Sequence, residues 1–204
     1  MTQIYLVRHG DYILHDIPPY DLGLSPKGIT QAGRLRDRLL KENLEIDVLI
    51  SSPWTRAQQT AEIIAPAIGR EIQIEPDIDE WRNQGENSLT SETLIQQYLS
   101  LPPDQRAFLS PGKDLETWGQ FGSRICNTLN RIANQHEKKN IMIVAHGGVI
   151  EASFVYCYGI SPFAAAPIMM MLDPKHTSIT HWRKIHAVHL WRLERYNDTN
   201  HLVD

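Results

Sequence analysis

Cysteine is scarce in this sequence. Of 204 residues, only Cys126 and Cys157 are cysteines. Their spacing forms neither a metal-binding pattern nor a disulfide framework. Both fall in helical patterns and read as packing residues. A reducing, cytoplasmic location is the expectation. Positive charge is not in excess either: 20 Lys and Arg against 24 Asp and Glu leave a net charge of −4. Such a balance offers no general attraction for nucleic acid, although a small local basic site is compatible with it. Long apolar runs are missing. The longest, FAAAPIMMML at 163–172, is too short to span a bilayer and carries a proline, so no membrane partner is expected. There is no internal repeat and no low-complexity segment. The chain enters a strand pattern at once, without a basic segment and cleavage site, so no signal peptide is expected.

What is present suits one globular domain over 1–204. Hydrophobic residues make up 42% and charged residues 22%, ordinary values for a chain long enough to bury a core. Strand-like runs lie at 3–8, 47–51, 71–75, 140–145, 167–173 and 185–192. The second and fourth are almost continuously apolar, as strands covered on both faces are. Helical patterns lie at 26–43, 53–68, 114–138 and 148–158. In the first, Ile29, Ala32, Leu35, Leu39 and Leu40 form the apolar stripe, and Ser25-Pro26 forms the N-terminal signal. Ser52-Pro53 is expected to open the second in the same way. This alternation predicts an α/β fold: a three-layer sandwich with a mostly parallel six-stranded sheet and helices on both faces. Residues 81–113 break the rhythm with many Asn, Gln, Ser and Pro and one helical piece at about 89–100. They are read as a small inserted cap.

Ligands of open α/β sheets bind beyond the carboxyl ends of the strands. Arg8 and His9 end the first strand, in LVRHG. His146 ends the fourth, in VAHGG at 144–148. Arg56 falls in the first turn after the second, in SSPWTRAQQTAE at 51–62. If those strands are neighbours, two imidazoles and two guanidinium groups converge. Guanidinium forks match phosphoryl oxygens. A histidine between two cations is pushed toward its neutral, nucleophilic form. Gly10 and Gly147 would let backbone N–H groups approach the oxygens.

LVRHG, LSPKGITQA (24–32), SSPWTRAQQTAE and VAHGG, in this order and spacing, resemble the histidine phosphatase family, the phosphoglycerate mutase-like proteins. HTSIT (176–180) and LERYNDTNHL (193–202) are similar to that family's C-terminal pattern. The resemblance implies that His9 becomes phosphorylated while Arg8, Arg56 and His146 hold the phosphoryl oxygens. It places a proton donor at Glu80, with Asp77, Asp79 and Glu86 as competing carboxylates. His15 stands where many relatives have a phosphate-contacting asparagine. No metal or organic cofactor is implied. The partner implied is a small phosphorylated metabolite.

Three activities fit these residues. A phosphatase is favoured because 81–113 holds only Arg82, Arg106 and Lys113 as cations, whereas mutases carry a longer, arginine-rich insertion. A cofactor-dependent mutase is the alternative, and a catalytically silent phosphate-binding module is a third. Since the first step needs protonated Glu80 and neutral His9, a bell-shaped pH profile on the acid side of neutrality is expected. His181, His186 and His189 are read as ordinary positions, the last two on opposite faces of a strand. Trp54, Trp81 and Trp118 are candidates for either a substrate wall or packing.

Overall fold

The computed structural model describes residues 1–14, 21–81, 91–112, 115–165 and 172–203. In chain order the strands are β1 (Gln3–Arg8), β2 (Tyr12–Leu14), β3 (Asp21–Leu24), β4 (Val48–Ser51), β5 (Ile72–Ile74), β6 (Asn140–Ala145), β7 (Ile179–Ile185) and β8 (Leu190–Asp198). The helices are α1 (Pro26–Glu42), α2 (Thr55–Ile68), α3 (Ser91–Ser100), α4 (Trp118–Gln135), α5 (Gly147–Tyr158) and the short α6 (Pro162–Ala165). Six strands form one sheet in the order β5-β4-β6-β1-β7-β8, and β2 and β3 pair separately. β5, β4, β6 and β1 run parallel, and β7 and β8 complete the sheet as an antiparallel hairpin.

The unbroken apolar runs have a direct cause: the sheet is buried on both faces. Strand alternation sends Ile4, Leu6, Ile50, Ile141 and Ile143 to one side, where α4 and α5 contribute Phe121, Ile125, Leu129, Val149 and Ile150. Tyr5, Val7, Leu49, Met142 and Val144 go to the other, against Leu35 and Leu39 of α1 and Ala57, Ala61 and Ile64 of α2. The expected three layers are therefore present.

Several local expectations are corrected. Gly28, Ala32, Leu35 and Leu39 form the buried stripe of α1, while Ile29 and Leu40 are exposed. Ser25 does cap α1, accepting from Gly28 N–H at 3.1 Å. Ser52 does not cap α2, which starts at Thr55 with Trp54 as its cap residue and no side-chain cap bond. Thr117 and Gln120 form a capping box that starts α4 at Trp118. The run 185–192 is not one strand but spans a hairpin turn, with Ile185 ending β7 and residues 190–192 beginning β8. β7 ends at Ile185, a 3-10 turn covers His186–Val188, and His189 sits at φ 53°. His186 and His189 therefore lie in a turn, not on opposite strand faces. Of the run 167–173, residues 167–171 lie outside the described residues, and Leu172 and Asp173 are not in a strand.

Trp81 and Trp118 pack edge-on at 4.9 Å, with Tyr98 of α3 5.4 Å from Trp81 and Phe121 5.2 Å from Trp118. This aromatic cluster ties α3 to α4, so these two tryptophans are packing residues. Among the described residues no helix is long and apolar enough to cross a membrane.

Candidate active site

The sheet order decides what meets. β6 lies between β1 and β4, so the residues that follow these three strands lie side by side. His9 and His146 have ring centroids 5.1 Å apart, and both are buried. Arg56, also buried, reaches across from α2. Its Nε donates to His9 Nε2 at 3.0 Å and its Nη2 donates to His146 Nδ1 at 3.3 Å.

Donor bookkeeping fixes both tautomers. Guanidinium can only donate, so His9 Nε2 and His146 Nδ1 accept. The Nδ1–H of His9 donates to the Gly10 carbonyl at 2.7 Å. The Nε2–H of His146 donates to Ser52 Oγ at 2.7 Å. Both rings are therefore neutral, and their pKa values lie well below the ordinary histidine value. For His9 burial is the main cause, then the His146 ring and Arg56; for His146 burial is followed by Arg56 and Arg8. Ser52, read in the sequence as a helix cap, instead orients His146.

Arg56 is itself held. Its backbone N–H donates to Asp21 Oδ2 at 3.2 Å, and its Nη1 lies 3.3 Å from the same oxygen. Tyr12 and Trp54 each lie 4.6 Å from the guanidinium carbon. Trp54 thus lines the site through Arg56. Arg8 donates through Nη1 to the Pro174 carbonyl and lies 3.9 Å from Asp173.

Glu80 lies at the N-terminus of α5. Its Oε2 accepts from Gly148 N–H at 3.3 Å and its Oε1 from Trp81 N–H at 3.0 Å. A Cβ on residue 148 would stand 2.4 Å from Glu80 Oε1, so this glycine makes room for the carboxylate. At Gly147, expected to let an N–H approach the oxygens, a Cβ would have ordinary contacts only. At Gly10 the N–H donates to Thr60 Oγ1 at 3.1 Å. A Cβ there would meet the Gly28 carbonyl oxygen at 2.8 Å, so Gly10 permits close packing against the first turn of α1 rather than offering a free N–H.

Two of the three competing carboxylates have cationic partners. Asp79 pairs with Arg124 at 2.6 Å, and Asp77 lies 3.8 Å from Arg131. Glu86 and His15 lie outside the described residues. Arg124 also binds Glu116 at 2.8 Å and approaches the Glu80 carbonyl at 3.4 Å, so one residue of α4 pins the loop that carries Glu80. His181 stacks on Tyr5 at 4.1 Å and donates to Gln3 at 2.9 Å, away from the site. Asp21, Ser52 and Arg124 escaped the sequence reading, because a lone serine or aspartate carries no periodic signal.

The sequence pattern of the histidine phosphatase superfamily (branch 1) matches residues 4–199. The chain is 30% identical over 216 residues to the phosphoglycerate mutase-like protein 4 of Arabidopsis thaliana, covering 100% of this chain and 88% of the relative. It is 29% identical over 217 residues to a metal-independent phosphoserine phosphatase of the same plant, covering 99% and 84%. The Entamoeba histolytica phosphoserine phosphatase, solved with 3-phosphoglyceric acid, shares the fold with a TM-score of 0.78 at 24% identity, over 100% of both chains.

Proposed function

This chain belongs to the histidine phosphatase superfamily, and we propose that within it the protein is a phosphatase that hydrolyses a small phosphomonoester through a phosphohistidine on His9. The observation that carries this reading is the state of His9. Its Nδ1–H is committed to Gly10, so its only lone pair is on Nε2, and that atom faces Arg56.

The steps follow from these atoms. An incoming phosphoryl group draws Arg56 from His9 Nε2 onto its oxygens, with Arg8 and His146 as further partners. Nε2 attacks phosphorus as the P–O ester bond breaks. Glu80 gives its proton to the departing oxygen. In the second half, the Glu80 carboxylate takes a proton from water, the hydroxide attacks phosphorus, and the N–P bond breaks to release inorganic phosphate. Arg56 returns to Nε2.

Hydrolysis is favoured over mutase action by the region expected to form the cap. Of its three cations, Arg106 donates to the carbonyls of Leu99 and Leu101 at 2.8 and 3.1 Å, closing the end of α3. It is thereby spent on structure rather than on a second substrate anion. Assay with p-nitrophenyl phosphate, beside the His9→Ala variant, tests the reading. Release that disappears in the variant supports it. Conversion of 3- to 2-phosphoglycerate without net phosphate release favours the mutase, and no turnover of any phosphomonoester favours a binding module.

A further inference from the structure

Two buried side-chain nitrogens beside His9 have no hydrogen-bond partner among the described residues: Arg8 Nε and His176 Nε2. Unpaired buried donors are costly, and two of them side by side at a candidate active site call for a partner such as a ligand oxygen. The His176 ring centroid lies 5.5 Å from that of His9 and 6.1 Å from that of Tyr12. Asp11 Oδ1 stands 3.8 Å from His176 Nδ1, too far for a hydrogen bond, so it does not commit the ring proton to that nitrogen.

His176 is held in place from the far end of the chain. Arg38 of α1 forks onto Asp198 of β8 at 2.7 and 3.0 Å, and its Nη1 donates to His201 Nδ1 at 3.4 Å. Because Arg38 can only donate, His201 carries its proton on Nε2, which donates to Thr177 Oγ1 at 3.0 Å. The Thr177 hydroxyl then donates to the His176 carbonyl at 2.7 Å. Every proton in this chain therefore points one way, from the tail toward residue 176. Thr177 sits at φ 58°, a region that β-branched residues avoid. Its N–H donates to the Arg8 carbonyl at 2.8 Å and contacts that of His9 at 3.3 Å. A strained residue held from both sides, next to the nucleophile, is the kind of feature found at functional sites.

We propose that His176 contacts the phosphoryl group as a further substrate-binding residue, and that His201 is a positioning residue acting on it through Thr177. This rests on the reading that the site takes a phosphoryl group. The arriving oxygens complete Arg8 Nε and His176 Nε2 together. No such role for 176 or 201 followed from the motifs.

The test is calorimetric binding of orthovanadate to the whole protein, with thermal unfolding measured alongside. We expect His176→Ala to weaken binding by about tenfold to a hundredfold, as loss of a hydrogen bond to a charged group does, with an unchanged melting temperature. His176→Gln, which keeps an N–H, should lose less. His201→Leu should weaken orthovanadate binding, and His201→Gln, which can still accept from Arg38 and donate to Thr177, should restore it. Wild-type affinity in both His176 variants overturns the proposal. So does a His201→Leu variant that loses melting temperature while binding orthovanadate normally. If the wild-type protein neither binds orthovanadate nor hydrolyses p-nitrophenyl phosphate, the phosphatase reading falls as well; if it does both and the variants bind orthovanadate as the wild type does, this inference alone fails.

Discussion

Arg56 Nε donates to His9 Nε2 at 3.0 Å, so in the resting protein the one lone pair able to attack phosphorus is occupied by the cation that would bind the phosphoryl oxygens. In the proposed mechanism the same side chain guards His9 and, on binding substrate, releases it. Replacing it with lysine keeps the charge but loses the fork. We expect Arg56→Lys to lower kcat by about 10²-fold or more, in line with loss of one preorganised oxyanion donor. Steady-state kinetics would show this as a fall in kcat larger than any rise in KM. A pure KM effect would mean that Arg56 serves only ground-state binding.

The position of Glu80 gives a leaving-group test. Glu80→Gln keeps one of the two oxygens that accept from Gly148 and Trp81 but cannot give up a proton. Loss of a general acid costs about 10²- to 10⁴-fold, and the loss should be greatest for alkyl phosphates, whose leaving oxygen needs the proton. Turnover of p-nitrophenyl phosphate should suffer less. An equal loss on both substrates would assign the proton to another group.

The pH dependence follows from the imidazoles. Burial, reinforced by neighbouring positive charge, holds His9 and His146 well below the ordinary histidine range. His9 therefore stays neutral as pH falls from about 7 to about 5, a range in which an exposed histidine becomes charged. We expect kcat/KM to survive this descent. A decline with an apparent pKa near 6.5, the unperturbed histidine value, would contradict the assigned state of the nucleophile.

Much of this site was legible in the sequence because its main parts come in short words fixed at strand ends. RHG ends β1, HGG follows β6, and Arg56 sits in the first turn of α2, so topology alone assembles them. The parts that were not legible act through tertiary contact. Ser52 looked like a cap because Ser-Pro usually is one, but its hydroxyl was taken by His146. The hairpin of β7 and β8 was missed because its inner strand buries Ile179, Thr180, His181 and Trp182 in succession, which is no hydrophobic alternation. Asp21 and Arg124 look like ordinary surface charges until the fold places each beside a buried partner.

Arg124 also makes a stability prediction. It is the part-buried cation between Asp79 and Glu116, its side chain 12% exposed. A fully buried pair that loses one partner costs about 3 kcal/mol or more, and this partial exposure brings the loss nearer to about 2 kcal/mol. Arg124→Ala should lower stability by that order in a denaturant titration and, by loosening the loop at 77–80, reduce kcat as well. Reduced stability with full activity would show that Glu80 is held by the N–H groups of Gly148 and Trp81 without help from Arg124.

A buried carboxyl gives the opposite kind of test. Burial, aided by the nearby Glu80 charge, raises the pKa of Glu151 to about 8, against 4.5 for the free side chain. Between these values the folded protein holds a proton that the unfolded chain has released. Unfolding is therefore favoured as pH rises from about 5 to about 8, and this stability is complete only below the unfolded pKa. Glu151→Gln removes the penalty. Relative to wild type it should gain about 3 kcal/mol on moving from pH 5 to pH 8. Parallel stability curves for the two proteins would place Glu151 in a solvated or ion-paired state instead.

Phosphorus on residue 9 is the most direct thing to look for. The protein is mixed with a phosphomonoester, quenched in alkali within the first turnovers, and mapped by mass spectrometry. We expect a single acid-labile phosphoryl group on His9, absent in His9→Ala and persisting longer in Glu80→Gln. Steady turnover with no phosphohistidine at any quench time, or with the label on another residue, would contradict the account.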